Sequence, residues 1–257
     1  MEQREQQYMV ARIALQAISD AGFALAGSGA IREHGVIDRP TQDVDLFTPR
    51  VDAAAFDTAA EQVEAAWRDA GLDVVSRPRA SRYAQFLVSP GDGSWTEVDL
   101  AVDWRAKDPV RLEVGPVLDL QDAISNKVSA LYGRGAARDF LDVDAIRRSG
   151  RYSDEQLLRL SEERDPGFDR ELFAQQLQQV ARVEPDEVKV YGVAAQQWST
   201  VQERTLGWSQ VILEPASPEH GARGGRSAGQ GPVSGQAGPG IEEILAMPPA
   251  GPYGPTL

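Results

Sequence analysis

Acidic and apolar residues alternate strictly in two segments of this 257-residue chain, which is the pattern of a half-buried β-strand. In the segment DVDLF, the carboxylates of Asp43 and Asp45 occupy one face of the strand, about 7 Å apart along the backbone. In the segment WTEVDLAVDW, residues 95–104, Glu97 and Asp99 share one face and apolar residues fill the other. We expect the two segments to be neighbouring antiparallel strands that bring Asp99 opposite the first pair.

Carboxylates on one strand face repel each other, and a protein tolerates that repulsion most readily when a cation lies between them. The chain has no cysteine and only two histidines, His34 and His220, which excludes thiolate sites and sites built from several histidines. Any bound metal is therefore held mainly by carboxylates, which prefer Mg²⁺ or Mn²⁺. Three carboxylates at one place make a two-cation site for phosphoryl chemistry. For the DVDLF segment alone, a solvated edge strand is the alternative.

A glycine and a serine lie where a predicted strand, FALAG, meets a short predicted helix. Gly27 and Ser28 at such a junction offer free backbone N–H groups and a hydroxyl group, which suit a phosphate chain, although the same pair is common in ordinary turns. Arg39 and Thr41 precede the DVDLF segment and either stabilise that loop or contact phosphate.

Predicted helices and strands alternate in the first part of the chain, which indicates an α/β or α+β fold with a mixed sheet. We assign this sheet domain to residues 1–106. Its predicted helices cover residues 5–21, 30–33 and 53–70, and its predicted strands cover residues 23–27, 43–47, 72–77, 82–88 and 95–104.

Helical periodicity dominates the next part of the chain, and we assign residues 107–206 to a helical domain. Its helices begin near residue 120 and then cover residues 137–148, 154–163, 170–183 and 186–204. An apolar stripe along the last of them is interpreted as core or domain-interface packing; it contains Val190, Val193, Trp198 and Val201. Residues 207–257 are rich in glycine and proline, and we predict a disordered tail there.

The net charge of −13 argues against a surface that coats nucleic acid, since affinity for phosphate comes largely from lysine and arginine. A polynucleotide partner would need a local basic patch. Two clusters of arginines could form one, and dispersed, solvated arginines are the equal alternative; the clusters are Arg77, Arg79 and Arg82, and Arg134, Arg138, Arg147, Arg148 and Arg151. The chain has no long apolar run and no basic-then-apolar start, so we expect a cytoplasmic protein without membrane segments.

Together these motifs resemble the polymerase-beta-like nucleotidyltransferase superfamily. The resemblance rests on Gly27-Ser28, on the run HGVIDRPTQDVD that ends at Asp45, and on the acidic strand at Asp99. The segment LDLQDAISNKVSALYGRGAARDFLDVDAI, with a helical lysine followed by Arg-Asp-aromatic-x-Asp, is similar to AbiEii-type nucleotidyltransferase toxins. The likeness covers roughly residues 20–150. The chain departs from the usual Gly-Gly-Thr or Gly-Gly-Ser pattern, and its spacing to Asp43 is slightly longer than usual.

The resemblance implies a role in the active site for each of several residues. Asp43, Asp45 and Asp99 would bind Mg²⁺ or Mn²⁺, with Glu97 as the competitor for the third position. Gly27, Ser28 and Lys127 would hold the triphosphate of an NTP, with further contacts assigned to Arg39, Thr41 and Asp139. Without the resemblance, Lys127 is interpreted as a solvated lysine on a helix. Asp139 is explained equally well as a residue that holds Lys127 in position. Arg138 is expected to pair with Asp142 within the same helix.

The resemblance also implies a function: transfer of a nucleoside monophosphate from an NTP to tRNA, by a type IV toxin with a cognate antitoxin protein. A small molecule or a partner protein is the alternative acceptor. A non-catalytic nucleotide-binding interaction protein is the alternative class, and the presence of all three carboxylates counts against it.

Overall fold

The computed structural model describes residues 3–214 of the chain. Seven strands form a single mixed sheet in the order β3-β4-β5-β2-β1-β7-β6. They are β1 (Ala24–Leu25), β2 (Asp43–Thr48), β3 (Asp73–Ser76), β4 (Tyr83–Ser89), β5 (Thr96–Val102), β6 (Val110–Leu112) and β7 (Gly115–Val117). The prediction of a mixed sheet followed by helices is confirmed.

The two acidic strands are neighbours, but they run parallel, so the expected antiparallel pairing was wrong. The reason lies in the chain between them. Helix α3 (Ala53–Asp69) and the β3–β4 hairpin separate β2 from β5, and this long crossover returns the chain in its original direction. The parallel register pairs Asp45 with Asp99 and Asp43 with Glu97.

Helix α1 (Gln3–Ala17) and α3 pack together and cover the sheet. Asp52 caps α3, and its carboxylate accepts a hydrogen bond from the amide of Ala55 at 2.7 Å. Trp67 of α3 is fully buried, and its indole N–H donates to the carbonyl of Val10 at 3.0 Å. The tryptophan therefore fixes α3 to α1 as well as filling the core.

The helical part of the chain meets the sheet through a short helix, α2 (Gly27–Glu33), which packs against α4 (Leu120–Gly133). Arg164 adds a second connection, because its guanidinium donates to both carboxylate oxygens of Asp103 after β5, at 2.8 and 2.9 Å. The helices of this part are α4 (Leu120–Gly133), α5 (Ala137–Arg148), α6 (Asp154–Arg164), α7 (Arg170–Gln178), α8 (Pro185–Lys189) and α9 (Ala195–Leu213).

Several predicted boundaries differ from the structure. Strands β6 and β7 lie beyond residue 106 and join the sheet beside β1, so the sheet extends past the predicted domain boundary. The helix predicted over residues 186–204 is two helices, because the chain turns at Gly192 with φ of 74°. Val190 is 63% exposed, so its assignment to a core stripe was wrong, whereas Trp198 and Val201 are buried.

The predicted tail begins too early. Residues 207–213 belong to α9, and Trp208 is buried there against Phe173 with ring centroids 5.3 Å apart. The prediction of disorder for residues 215–257 lies outside the described residues. Within residues 3–214, no helix is long and apolar enough to cross a membrane.

Candidate active site

Two buried carboxylates lie side by side where β2 and β5 pair. Asp45 and Asp99 are direct partners in the parallel register, and their residues are 6% and 1% exposed. Asp43 lies two residues before Asp45 on β2, is partly buried, and has Glu97 as its partner on β5. The structure therefore brings Asp99, rather than Glu97, beside Asp45.

Asp45 is the most strongly perturbed group of this cluster. Burial, together with the negative charges of Asp43 and Asp99, raises its pKa to about 8, and Lys127 and Arg138 only partly oppose this. Its Oδ1 atom is buried and has no hydrogen-bond partner among the described residues. A buried carboxylate oxygen without a partner is costly, so this position favours either a bound proton or a bound cation.

Gly27 fits closely against this carboxylate. A Cβ atom at this position would lie 1.7 Å from Oδ2 of Asp45, and the backbone φ of 55° is one that side chains rarely allow. The amide of the preceding residue, Ala26, donates to the carbonyl of Asp45 at 2.8 Å. Glycine is thus required for the start of α2 to approach the acidic strand, in agreement with the predicted strand-to-helix junction.

Asp99 is oriented by two side chains of β4. The hydroxyl of Tyr83 and the side-chain amide of Gln85 both donate to its Oδ1, at 2.8 and 3.0 Å. Burial raises the pKa of Asp99 although these hydrogen bonds oppose the shift. Burial, together with the Asp99 carboxylate, likewise raises the pKa of Tyr83, so the phenol stays a donor. The shared use of Oδ1 holds the carboxylate in one orientation.

A third buried carboxylate, Asp142, organises the other side of the site. It accepts two hydrogen bonds from Arg39, each at 2.7 Å, and its Oδ2 lies 3.0 Å from Nζ of Lys127. The hydroxyl of Ser28 also donates to Oδ2, at 2.9 Å, and accepts from Arg39 at 3.0 Å. Although burial favours the neutral form, Lys127 and Arg39 hold the pKa of Asp142 below its usual value, so it stays ionised.

The structure brings several predicted residues to this network. Lys127 is only 6% exposed, so the alternative of a solvated helix lysine was wrong. Ser28 and Arg39 meet Lys127 at Asp142. Asp139 does not, because it is held by Arg134 at 2.7 and 2.8 Å and by the amide of Ala136 at the start of α5.

Thr41 stabilises its loop. Its hydroxyl donates to the side-chain carbonyl of Gln7 at 2.8 Å and accepts from Arg32 at 2.8 Å. Its backbone carbonyl accepts from the amide of Gln7 at 2.7 Å. These contacts join the loop before β2 to α1, which is the first of the two roles expected from the sequence.

Arg138 has a different partner from the one that helix spacing indicated. Its Nη1 donates to Oδ2 of Asp43 at 2.9 Å instead of pairing with Asp142 within α5. The guanidinium therefore contacts the acidic cluster and offsets part of the cluster's negative charge. Sequence reasoning assigned no role in the site to Asp142, although it is the last residue of the Arg-Asp-aromatic-x-Asp motif.

The acidic residues do not form a completed metal site. Within residues 3–214, no group of three acidic or histidine side chains is arranged so that it could hold an ion. Arg138 and the β4 donors occupy carboxylate oxygens of Asp43 and Asp99. The donor set nevertheless fits a hard cation, because it consists of carboxylate oxygens and the buried Oδ1 of Asp45 has no partner in the described part of the chain.

Comparison with known families agrees with this geometry. The model of the family described as "Nucleotidyl transferase AbiEii toxin, Type IV TA system" matches residues 9–207. The chain belongs to this family. It is accordingly a nucleotidyltransferase, and membership in a family of type IV toxins implies an NTP substrate and an antitoxin partner. The matched span contains the acidic strands, Ser28, Lys127 and Asp142.

Solved structures share the fold of this AbiEii-family protein. JHP933 from Helicobacter pylori is 17% identical, with a TM-score of 0.50 over 82% of this chain and 92% of that one. MenT4, a nucleotidyltransferase toxin from Mycobacterium tuberculosis H37Rv, is 16% identical, with a TM-score of 0.51 over 82% of this chain and 84% of that one. No curated protein sequence matches the chain.

Proposed function

We propose that this AbiEii-family protein transfers a nucleoside monophosphate from an NTP to tRNA in a reaction that depends on a divalent cation. The observation that carries the proposal is the buried Oδ1 of Asp45, which has no hydrogen-bond partner within residues 3–214 and belongs to a carboxylate that feels the charges of Asp43 and Asp99. Such a group is suited to a cation and ill suited to a purely structural role.

With the carboxylates of Asp43 and Asp99 reoriented towards Asp45, these three residues would hold Mg²⁺ or Mn²⁺, which when bound neutralises triphosphate charge and stabilises the leaving pyrophosphate. Ser28 and the backbone N–H groups at the start of α2 would bind the terminal phosphates. Lys127 lies close enough to Asp45 to lower that carboxyl's pKa, so its ammonium would also meet the triphosphate. Arg39 would act through Asp142, which it orients for Ser28 and Lys127.

In the proposed reaction, a hydroxyl oxygen of the acceptor attacks the α-phosphorus while the bond to the β-phosphate oxygen breaks. The leaving pyrophosphate takes the bonding electrons. The hydroxyl proton passes to the Asp99 carboxylate, whose other oxygen is fixed by Tyr83 and Gln85.

The test is label transfer from each α-labelled NTP to total tRNA in Mg²⁺, in Mn²⁺ and in excess chelator. Asp45→Asn serves as the inactive variant, and Asp57→Asn, on the exposed face of α3, serves as the control. We expect cation-dependent labelling by the wild type and by Asp57→Asn only. Labelling of a small molecule or a protein in place of tRNA would overturn the proposed acceptor. Full labelling in excess chelator would overturn the proposed dependence on a divalent cation.

A further inference from the structure

A cavity of about 950 Å³ opens between the loop before β2, helix α5 and the α8–α9 region. Arg39 and Asp142 belong to its lining and to the candidate active site at once. Because Arg39 also reaches Ser28 at 3.0 Å, one residue separates the cavity from the proposed phosphate contact. The cavity is therefore next to the reaction centre, yet the proposed chemistry gives it no role.

Two of the cavity's four arginines, Arg148 and Arg151, are not strongly neutralised by a carboxylate. Asp144 is already bound by Arg204 through two hydrogen bonds at 2.6 Å, so Arg148, which lies 3.9 Å from Asp144 and has a 64% exposed side chain, is only weakly neutralised. Arg151 is exposed and donates to the backbone carbonyl of His34 at 2.8 Å, a partner without charge.

Four of the other arginines in the two sequence clusters are bound to carboxylates. Arg79 binds Glu64 at 2.8 Å, and Arg138 binds Asp43 at 2.9 Å. Arg134 donates two hydrogen bonds to Asp139, and Arg147 donates two to Asp154. Phosphate affinity depends on cations that are not already neutralised, so Arg148 and Arg151 are better placed to bind a polyanion than these four residues.

The cavity also holds an aromatic surface. The guanidinium of Arg39 lies over the ring of Tyr191, 5.1 Å from its centroid, and Val193 and Val201 add apolar surface nearby. An arginine and an aromatic ring beside exposed guanidinium groups form the combination that binds single-stranded nucleic acid by stacking and by phosphate contact.

We propose that this cavity binds a single-stranded segment of the RNA acceptor, with a base against the Tyr191–Arg39 pair and phosphates at Arg148 and Arg151. The inference rests on the proposed function, since it assigns the acceptor a place on the same protein. It also explains how a chain with a net charge of −13 attracts a polyanion.

The test measures binding of a fluorescent single-stranded oligoribonucleotide by anisotropy, separately from labelling. The test variant is Arg148→Gln/Arg151→Gln. The control is Arg159→Gln/Arg182→Gln, which removes the same charge from exposed positions outside the cavity. We expect at least tenfold weaker RNA binding in the test variant alone, and a slope of log affinity against log salt that is shallower by about 1.4, or about 0.7 per lost phosphate contact. NTP affinity should be the same in both variants.

A second pair of variants tests the aromatic surface. Tyr191→Phe should bind RNA as the wild type does, whereas Tyr191→Ala should weaken binding about tenfold or more, with melting temperatures and NTP affinities recorded to identify a folding defect. Equal RNA affinity in the arginine variant and its charge-matched control would overturn the cavity proposal, as would a wild type that binds no oligoribonucleotide. If RNA binds in the cavity but no RNA is labelled, the proposed acceptor is wrong and the binding site stands.

Discussion

Asp45 and Asp99 are direct partners on two parallel strands, and both carboxyls are buried with raised pKa values. Replacing Asp45 by asparagine removes a proposed cation ligand and, above about pH 8 where Asp45 is ionised, relieves the repulsion between Asp45 and Asp99. We expect Asp45→Asn to lower transfer on the order of a thousandfold, since a metal contact contributes several kcal/mol to the transition state. Without metal, its melting temperature should equal or exceed that of the wild type. A clearly less stable variant would show that Asp45 is structural.

The same carboxyl predicts an unusual pH dependence of stability. Its pKa is about 8 in the folded protein and near 3.8 in the unfolded chain, so between these values the folded state binds the additional proton. The free energy of unfolding without metal should therefore fall as pH rises from about 4 to about 8. Chemical denaturation at pH 5, 6.5 and 8 in chelator measures this effect. Asp45→Asn should flatten the profile, and an unchanged profile would contradict the assignment.

Gly27 is predicted to tolerate no side chain. Gly27→Ala would strain the backbone by about 1–2 kcal/mol and press a methyl group into the Asp45 carboxylate, at 1.7 Å. Gly71→Ala is the matched control, because Gly71 has φ of 81° but nothing within 4 Å of the added Cβ atom. We expect both variants to lose stability, Gly27→Ala by more, and only Gly27→Ala to lose transfer. Equal losses of stability would mean that the close approach is not required.

The structure changes what is expected of Lys127. A partly exposed lysine could be removed without loss of stability, but Lys127 is buried and paired with Asp142. Lys127→Ala should therefore weaken NTP binding about tenfold to a hundredfold and also lower stability, because it leaves Asp142 less compensated. Arginine at this position should rescue only in part, since its planar fork does not replace a compact ammonium.

A double-mutant cycle separates these two effects. If Lys127 and Asp142 form a pair that contributes to stability, the losses in Lys127→Met and Asp142→Asn will not add in the double variant. Urea denaturation of the four proteins gives the coupling energy. Strictly additive losses would show that the buried pair contributes nothing to folding.

Periodicity in the sequence predicted which face of each acidic strand carries the carboxylates, because side-chain direction is a local property. It did not predict that β2 and β5 run parallel, since strand direction depends on how α3 and the β3–β4 hairpin return the chain. Asp142 was overlooked for a related reason. Its partner Arg39 lies 103 residues away in the sequence. The sequence alone does not show which of the acidic residues of α5 faces that partner.

The end of the chain provides a final prediction, based on two truncations that differ by eight residues, 207–214. Ending the chain at Leu206 removes Trp208, which packs against Phe173 and under the guanidinium of Arg147 at 4.4 Å, and Ser209, whose hydroxyl donates to the carbonyl of Ala174. Loss of a buried tryptophan typically costs about 3–5 kcal/mol, so this truncation should unfold at a much lower temperature.

Ending the chain at Glu214 retains all of α9. The residues that it removes, 215–257, are rich in glycine, proline and serine and poor in residues that form a core, so we expect little change in melting temperature or NTP affinity. Thermal unfolding followed by circular dichroism compares the two truncations with the full chain. Equal stability of the two would contradict a structural role for the last turns of α9, and a large loss in the longer one would show that residues 215–257 contribute to folding.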